Sequence, residues 1–143
     1  MSYERYAQNY ALFFENLNKD MKIEEYAFIF DEKVYFEDPF QKTYDLDSFY
    51  KIYEHMYETL YEPRFLVKEI ALTNNIAYLQ WSFIFKTSKE AQIDDFTGVS
   101  RVEFNEKGKA ISHIDYWDSS TNIYERIPIL KNILRFIKNR IKA

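Results

Sequence analysis

Residues Ala110 to Asp118 read AISHIDYWD, and the interpretation of the whole chain starts from this stretch. Its alternation predicts a strand, because successive side chains of a strand point to opposite faces. One face carries His113, Asp115 and Trp117, where a strand that only packs on a core would carry three apolar side chains. The pattern therefore predicts that polar chemistry lies inside the fold.

A second stretch, Val34 to Phe40 (VYFEDPF), is expected to form another wall of the same cavity. Val34, Phe36 and Asp38 share one face of a predicted strand, which ends because Pro39 has no backbone donor. An aspartate before a proline also fits a turn, where its carboxylate accepts backbone hydrogen bonds. In an aromatic pocket, burial would instead raise the pKa of Asp38 toward the range of a general base. Both interpretations stay open.

Composition narrows the class of protein. A chain of 143 residues is expected to form one domain, and 20% aromatic residues favour a cavity wall in which phenol groups find partners. The absence of cysteine excludes disulfides and thiolate metal sites. With no apolar run of about 18 residues and no leader segment, the expectation is a soluble, cytoplasmic protein. The net charge of -4 argues against a nucleic-acid partner.

The order of periodic segments predicts an α+β fold. Apolar residues at helical spacing indicate a helix over Tyr3 to Leu17, a shorter one over Ile23 to Phe30, and a third that begins at Asp45 or Asp47. Strand one spans Lys33 to Asp38. Four longer strands then form two hairpins, Phe65 to Thr73 with Ile76 to Thr87, and Asp95 to Phe104 with Ala110 to Asp118. Helices at one end and strands at the other predict a cone-shaped, curved, mostly antiparallel sheet with the N-terminal helices on its concave face.

The end of the chain is expected to add a C-terminal amphipathic helix. Residues 1–122 are predicted to form the barrel, and residues 123–143 are predicted to form a basic helix appended to the same domain. Beyond Glu125 the chain has six basic residues and no acid. Pro128 fits a first helical turn. Such a helix either packs on its own barrel or dimer, or contacts an anionic membrane surface or a partner protein.

Two motifs carry a family resemblance. The segment FEDPF after the short helix, together with the closing hairpin VEFNEKGKAISHIDYWD, resembles the nuclear transport factor two-like superfamily, in particular its SnoaL-like and ketosteroid isomerase-like branches. The resemblance implies a cone-shaped α+β barrel with an apolar pocket, which is commonly a homodimer through the outer face of the sheet. The fold supports enzymes and plain binding modules alike, so it does not by itself decide the function.

The resemblance also suggests roles for single residues. Asp38 matches the general base of the steroid isomerases, but the positions of their two oxyanion donors fall at Phe13 or Phe14 and near Ser100. Asp115 matches an aspartate of epoxide hydrolase-like members, but the arginine and aspartate that act with it there have no counterpart in this chain. His113 and Asp115 match the histidine and the acid or base of SnoaL-like cyclases, which is the best enzymatic analogy.

The leading hypothesis is a SnoaL-like protein that binds a small apolar molecule, polyketide-like or steroid-like, and forms a homodimer. The first alternative is a cofactor-independent isomerase, cyclase or dehydratase that uses Asp38 or Asp115 as general acid or base. The second is a module for protein or membrane-surface interaction. No metal or cofactor is expected, because His55 and His113 are the only histidines and have no ligand spacing. The candidate site residues are Asp38, His113 and Asp115 for catalysis, and Tyr10, Phe14, Phe36, Tyr53, Ser100 and Trp117 for ligand binding.

Overall fold

The computed structural model describes residues 2–119. The predicted basic helix at the C-terminus lies outside the described residues. The helices within the range are α1 (Tyr3–Glu15), α2 (Ile23–Tyr26) and α3 (Leu46–Thr59). The strands are β1 (Phe30–Glu37), β2 (Lys42–Thr43), β3 (Tyr61–Thr73), β4 (Ile76–Lys86), β5 (Asp94–Phe104) and β6 (Ala110–Tyr116).

The six strands form one curved sheet in the order β2-β1-β6-β5-β4-β3. Only the contact between β1 and β6 is parallel among these pairs. Helix α1 packs against β3, and α3 packs against β1 and β3. The prediction of an α+β fold with a mostly antiparallel sheet and N-terminal helices is confirmed, and β6 lies in the interior of the sheet.

Two caps fix where the longer helices begin. The Ser2 hydroxyl accepts a hydrogen bond from the backbone N–H of Arg5, and the Asp45 carboxylate accepts one from Ser48 at 2.7 Å. Each cap satisfies a backbone donor that the first helical turn leaves without a partner. These caps fix the first residues of α1 and α3.

The structure differs from the sequence prediction where strand pairing competes with helical periodicity. Helix α2 ends at Tyr26, because the chain from Phe30 onward pairs with β6, Phe30 opposite Ala110. Strand β3 begins at Tyr61 and passes through Pro63, which lies at a register shift of this edge strand, where a missing donor is tolerated. The two-residue β2 is too short to leave a periodic signal in the sequence.

Aromatic rings fill the space between the helices and the sheet. Phe30, which is 1% exposed, contacts the rings of Tyr10, Tyr26 and Phe49, and the ring centroids lie 4.8 to 6.0 Å apart. Pairs of this kind contribute about 0.5–1.5 kcal/mol beyond the burial of their area. The ring of His113 belongs to the same network, and this residue is also part of the candidate site.

Candidate functional site

A small cavity lies between α1, α3 and the strands β3 to β6. Its volume is about 20 Å³, which is room for about one water molecule. Apolar and aromatic side chains form most of its wall, and polar groups interrupt the wall at β5 and β6. The lining consists of Tyr10, Phe14, Tyr53, Phe65, Val67, Leu79, Trp81, Ser100, His113 and Asp115.

Strand pairing brings the polar part of this wall together. On β6, His113 and Asp115 are two residues apart and therefore share the inner face. Ser100 lies directly opposite Asp115 on β5, and Val102 lies opposite His113. Residues directly opposite each other in an antiparallel pair have neighbouring side chains, so a serine and a carboxylate meet here.

One chain of hydrogen bonds crosses the cavity wall. The Trp81 Nε1–H donates to Ser100 Oγ at 2.8 Å, and Ser100 Oγ donates to Asp115 Oδ1 at 2.5 Å. The same Oδ1 lies 2.7 Å from His113 Nε2. On the other side of the ring, His113 Nδ1 lies 2.5 Å from the Tyr10 hydroxyl. The hydrogen-bonded chain therefore links β4, β5, β6 and α1.

The chemistry of the donors assigns the protons in this chain. An indole N–H only donates, so Ser100 must accept from Trp81 and give its own proton to Asp115. A carboxylate oxygen only accepts, which places the His113 proton on Nε2. Nδ1 then accepts from the Tyr10 hydroxyl, whose pKa is raised well above its usual value by burial and next by the Asp115 charge. With this assignment every link of the hydrogen-bonded chain has one donor and one acceptor.

The hydrogen-bonded chain also determines which polar groups can contact a ligand. Both ring nitrogens of His113 are hydrogen bonded within the protein, and the residue is only 3% exposed. Asp115 receives both of its hydrogen bonds on Oδ1, which leaves Oδ2 outside the chain. The Tyr53 hydroxyl takes no part in the chain, and its pKa is raised by burial and then by Asp115. Asp115 and Tyr53 are therefore the polar groups best placed to contact a molecule in the cavity.

Gly98 makes room for the indole that begins the chain. It lies opposite Trp81 in the pairing of β4 with β5. A Cβ atom at this position would lie 2.5 Å from two atoms of the Trp81 ring. The absence of a side chain at Gly98 therefore lets the Trp81 ring approach the backbone of β5 closely.

Asp38 lies in a turn at the end of β1 and is not part of the cavity lining. Its Oδ1 accepts from the backbone N–H groups of Phe40 and Gln41 at 2.8 and 3.0 Å, and its Oδ2 accepts from the Gln41 side-chain amide at 3.2 Å. Burial raises the pKa of Asp38 to about 6, these hydrogen bonds oppose the shift, and the Asp115 charge adds to it. The Gln41 Oε1 atom is buried and has no hydrogen-bond partner among residues 2–119.

We predict that Asp38→Asn stabilises the protein at neutral pH. The folded state raises this pKa from 3.8 to about 6, so the stability that Asp38 contributes is present below pH 3.8 and is lost as the pH rises through 6. An asparagine carries no charge, and its amide can donate to Gln41 Oε1 after that side chain rotates. Urea unfolding from pH 4 to 7 should show the variant gaining about 1–2 kcal/mol over the native protein.

Asp20→Asn, at an exposed position, is the matched control and should keep the shape of the native pH profile. A native profile that stays parallel to that of Asp38→Asn from pH 4 to 7 would contradict this account of the turn.

The structure brings most of the predicted site residues to one place. Six of them line the cavity: Tyr10, Phe14, Tyr53, Ser100, His113 and Asp115. Phe36 lies beneath it, against Phe49 and His113. Trp117 follows the end of β6 and packs on Phe96, with ring centroids 4.9 Å apart. The sequence analysis did not single out Phe65, Val67 and Leu79, although the alternation of β3 and β4 could have identified them.

Residues 2–119 contain neither a metal-binding cluster nor a membrane-spanning helix. No cluster of three or more histidine, cysteine, aspartate or glutamate side chains in this range could hold a metal ion. No helix of the same part of the chain is long and apolar enough to cross a membrane.

Comparison with known proteins shows the fold. No protein-family model matches the sequence, and no curated protein matches it. Among solved structures, a putative SnoaL-like polyketide cyclase from Jannaschia is similar, with a TM-score of 0.71 and 10% identity over 85% of this chain and 93% of that chain. TerC, crystallised with polyporic acid, has a TM-score of 0.68 and 13% identity over 93% and 98% of the two chains.

A third similar structure is a protein from Catenulispora acidiphila with a ketosteroid isomerase-like fold, in complex with trimethylamine. Its TM-score is 0.69 at 6% identity, over 84% of this chain and 90% of that chain. These matches cover nearly the whole of each solved chain. Together they show that this chain has the nuclear transport factor two-like fold that the two sequence motifs predicted.

Proposed function

We propose that this chain with a nuclear transport factor two-like fold binds a small molecule that has an apolar, ring-containing body and a hydroxyl or carbonyl group. One observation carries the proposal: an aromatic cavity whose wall is interrupted by a hydrogen-bonded chain with Asp115 at its centre. Binding sites for small molecules are typically apolar with a few fixed polar groups. Asp115 Oδ2 would accept from a ligand hydroxyl, and the Tyr53 hydroxyl would donate to a ligand carbonyl.

Binding requires the cavity to widen. Its present volume of about 20 Å³ is far below the roughly 300 Å³ at which small-molecule pockets begin. Phe65 and Val67 are the half-buried members of the lining on the edge strand β3. An edge strand has a strand neighbour on one side only, so movement of these two side chains is the least costly way to admit a ligand.

The solved structures support a small molecule as the ligand class. Two of the similar proteins were crystallised with one, polyporic acid in one case and trimethylamine in the other. Polyporic acid is a ring compound, and the name of a third similar protein refers to polyketides. By this likeness of fold, a small molecule is proposed as the ligand of the cavity in the present chain.

Proton transfer is the second candidate function, and the hydrogen-bonded chain favours it. Asp115 Oδ2 would remove a proton from a carbon next to a carbonyl, the C–H electron pair would form the enolate, and Tyr53 would donate a hydrogen bond to its oxygen. Return of the proton from Asp115 to another carbon would complete an isomerisation without a cofactor. His113 would then be a positioning residue, because it holds Asp115 and contacts Tyr10 on its other side.

Titration calorimetry with 2-naphthol tests binding, and proton exchange of 2-tetralone in D2O, followed by NMR, tests proton transfer. Asp115→Asn is expected to weaken 2-naphthol binding by about tenfold or more, because a charged acceptor is lost. The same variant is expected to abolish any exchange of the 2-tetralone protons that the protein catalyses. Asp47→Asn, an exposed aspartate paired with Lys51, is the control and should behave as the native protein. Failure of 2-naphthol to bind, or equal binding by Asp115→Asn, would refute the binding proposal.

A homodimer through the outer face of the sheet is part of the proposal. Three large side chains that are 40 to 55% exposed support it, namely Leu66, Tyr78 and Tyr116 on β3, β4 and β6. Exposed apolar groups on one face commonly mark an interface. Sedimentation velocity of the full chain should give the mass of two copies, and a monomer at every concentration would exclude this arrangement.

A further inference from the structure

A surface groove runs alongside the cavity, between α1 and β3. Its volume is about 390 Å³. It is lined by Gln8, Ala11, Leu12, Glu15, Val67, Lys68, Glu69 and Ile70. Among residues 2–119, Val67 is the one residue that this lining shares with that of the cavity. Val67 therefore borders both spaces.

A hydrogen bond holds Val67 to α1. The backbone N–H of Val67 donates to Glu15 Oε2 at 2.9 Å, and Glu15 is the last residue of the helix. The register of β3 against β4 shifts between Val67 and Glu69, so regular pairing is interrupted next to Val67. Val67 thus lies at an irregular point of an edge strand, where local opening costs less than in the centre of a sheet.

The groove has an apolar floor and a polar rim. Leu12 is 54% exposed and Ile70 is 38% exposed, although both are large aliphatic side chains. Gln8, Lys68 and Glu69 provide the rim. An aliphatic group laid in the groove would cover the apolar surfaces of Leu12 and Ile70.

We infer that the groove is the outer half of the binding site, and that Val67 is a movable wall between its two halves. The ligand class that follows is a small molecule with a ring-containing polar head, which enters the cavity, and an aliphatic arm, which lies on Leu12 and Ile70. This inference rests on the proposed binding function. To that function it adds an aliphatic arm of the ligand, the direction from which the ligand enters, and the residues that select for both.

Two ligands that differ only in the arm test the groove. Calorimetry should show that 6-hexyl-2-naphthol binds the native protein about tenfold or more tightly than 2-naphthol, since each buried methylene raises affinity. Leu12→Gln should remove most of this advantage and leave the affinity for 2-naphthol unchanged. Ile93→Gln is the matched control, because Ile93 is a 65% exposed aliphatic residue just before β5 and lines neither space, and it should keep the advantage.

Hydrogen exchange tests the wall. Glu15→Ala is expected to speed exchange of the Val67 amide by about tenfold, while Glu15→Gln, which keeps an acceptor oxygen, should exchange nearly as the native protein does. The Val102 amide, in a central strand, reports whether each variant is folded. Stopped-flow mixing should show faster association of both ligands with Glu15→Ala, because the wall opens more often.

The outcomes separate this inference from the proposed function. If neither ligand binds, the proposed function fails and the inference fails with it. If 2-naphthol binds through Asp115 but the hexyl arm adds nothing, the proposed function stands and the groove is not part of the site. That second result is also the one expected if residues 120–143 of the chain filled the groove. Unchanged exchange of the Val67 amide in Glu15→Ala would overturn the role of the wall.

Discussion

His113→Ala is expected to lower the free energy of unfolding by about 3–5 kcal/mol. The side chain is 3% exposed and contacts the rings of Phe14, Phe36 and Phe49 at centroid distances of 5.5 to 5.8 Å. Loss of this side chain leaves a void, leaves the Tyr10 hydroxyl without its acceptor and removes a hydrogen-bond donor from Asp115. Unfolding in urea, followed by circular dichroism, measures the change.

Two variants separate the contributions to this effect. Tyr10→Phe removes only the hydroxyl that faces His113 Nδ1, so it should cost about 1–3 kcal/mol. His55→Ala truncates the other histidine, whose side chain is 30% exposed beside Glu58, and should change stability by less than about 0.5 kcal/mol. If His113→Ala cost no more than His55→Ala, the ring would not be the centre of a buried hydrogen-bonded chain.

Phe14→Ala is expected to cost a similar 3–5 kcal/mol and to enlarge the cavity by the volume of one ring. Phe14 is 7% exposed, lines the cavity and contacts the rings of Tyr10, Tyr53 and Phe65. Enlarged apolar cavities bind small aromatic molecules, and a ligand that binds only the folded state raises stability. Indole should therefore raise the melting temperature of Phe14→Ala more than that of the native protein.

The control for Phe14 is an exposed phenylalanine. Phe28→Ala truncates a ring that is 79% exposed, so it should change stability by less than about 0.5 kcal/mol and should respond to indole as the native protein does. An enlarged cavity that indole does not occupy would mean that the space is not open to ligands. That result would count against the binding function as well.

The sequence predicts the parts of this fold that depend on periodicity. Alternation located the two hairpins, and helical spacing located α1 and α3, because each element buries one face. The parallel contact between β1 and β6 was not predictable, since it joins residues about 80 positions apart and leaves no local signal. The predicted end of α2 was wrong for a related reason. Phe30 fits a helical pattern in the sequence, but in the fold it pairs with β6, which is far away along the chain.

The candidate site was likewise predictable only where it depends on the periodicity of the sequence. Alternation along β6 put His113 and Asp115 on one inner face, and the structure places both at the cavity. Alternation could not show that Asp38 satisfies a turn, because that depends on backbone donors two and three residues later. Nor could it show that Trp117 lies beyond the end of β6 or that the indole of Trp81 crosses Gly98. Contacts of these kinds are set by tertiary packing.

The central claim is that a ligand occupies the aromatic cavity with its polar group at Asp115. A crystal structure of the full chain grown with 2-naphthol tests it most directly. The account predicts the ligand between Phe14 and Phe65, with its hydroxyl within hydrogen-bond distance of Asp115 Oδ2 and with Val67 displaced. A ligand bound on the outer face of the sheet, with the cavity as small as it is in the free protein, would contradict the account.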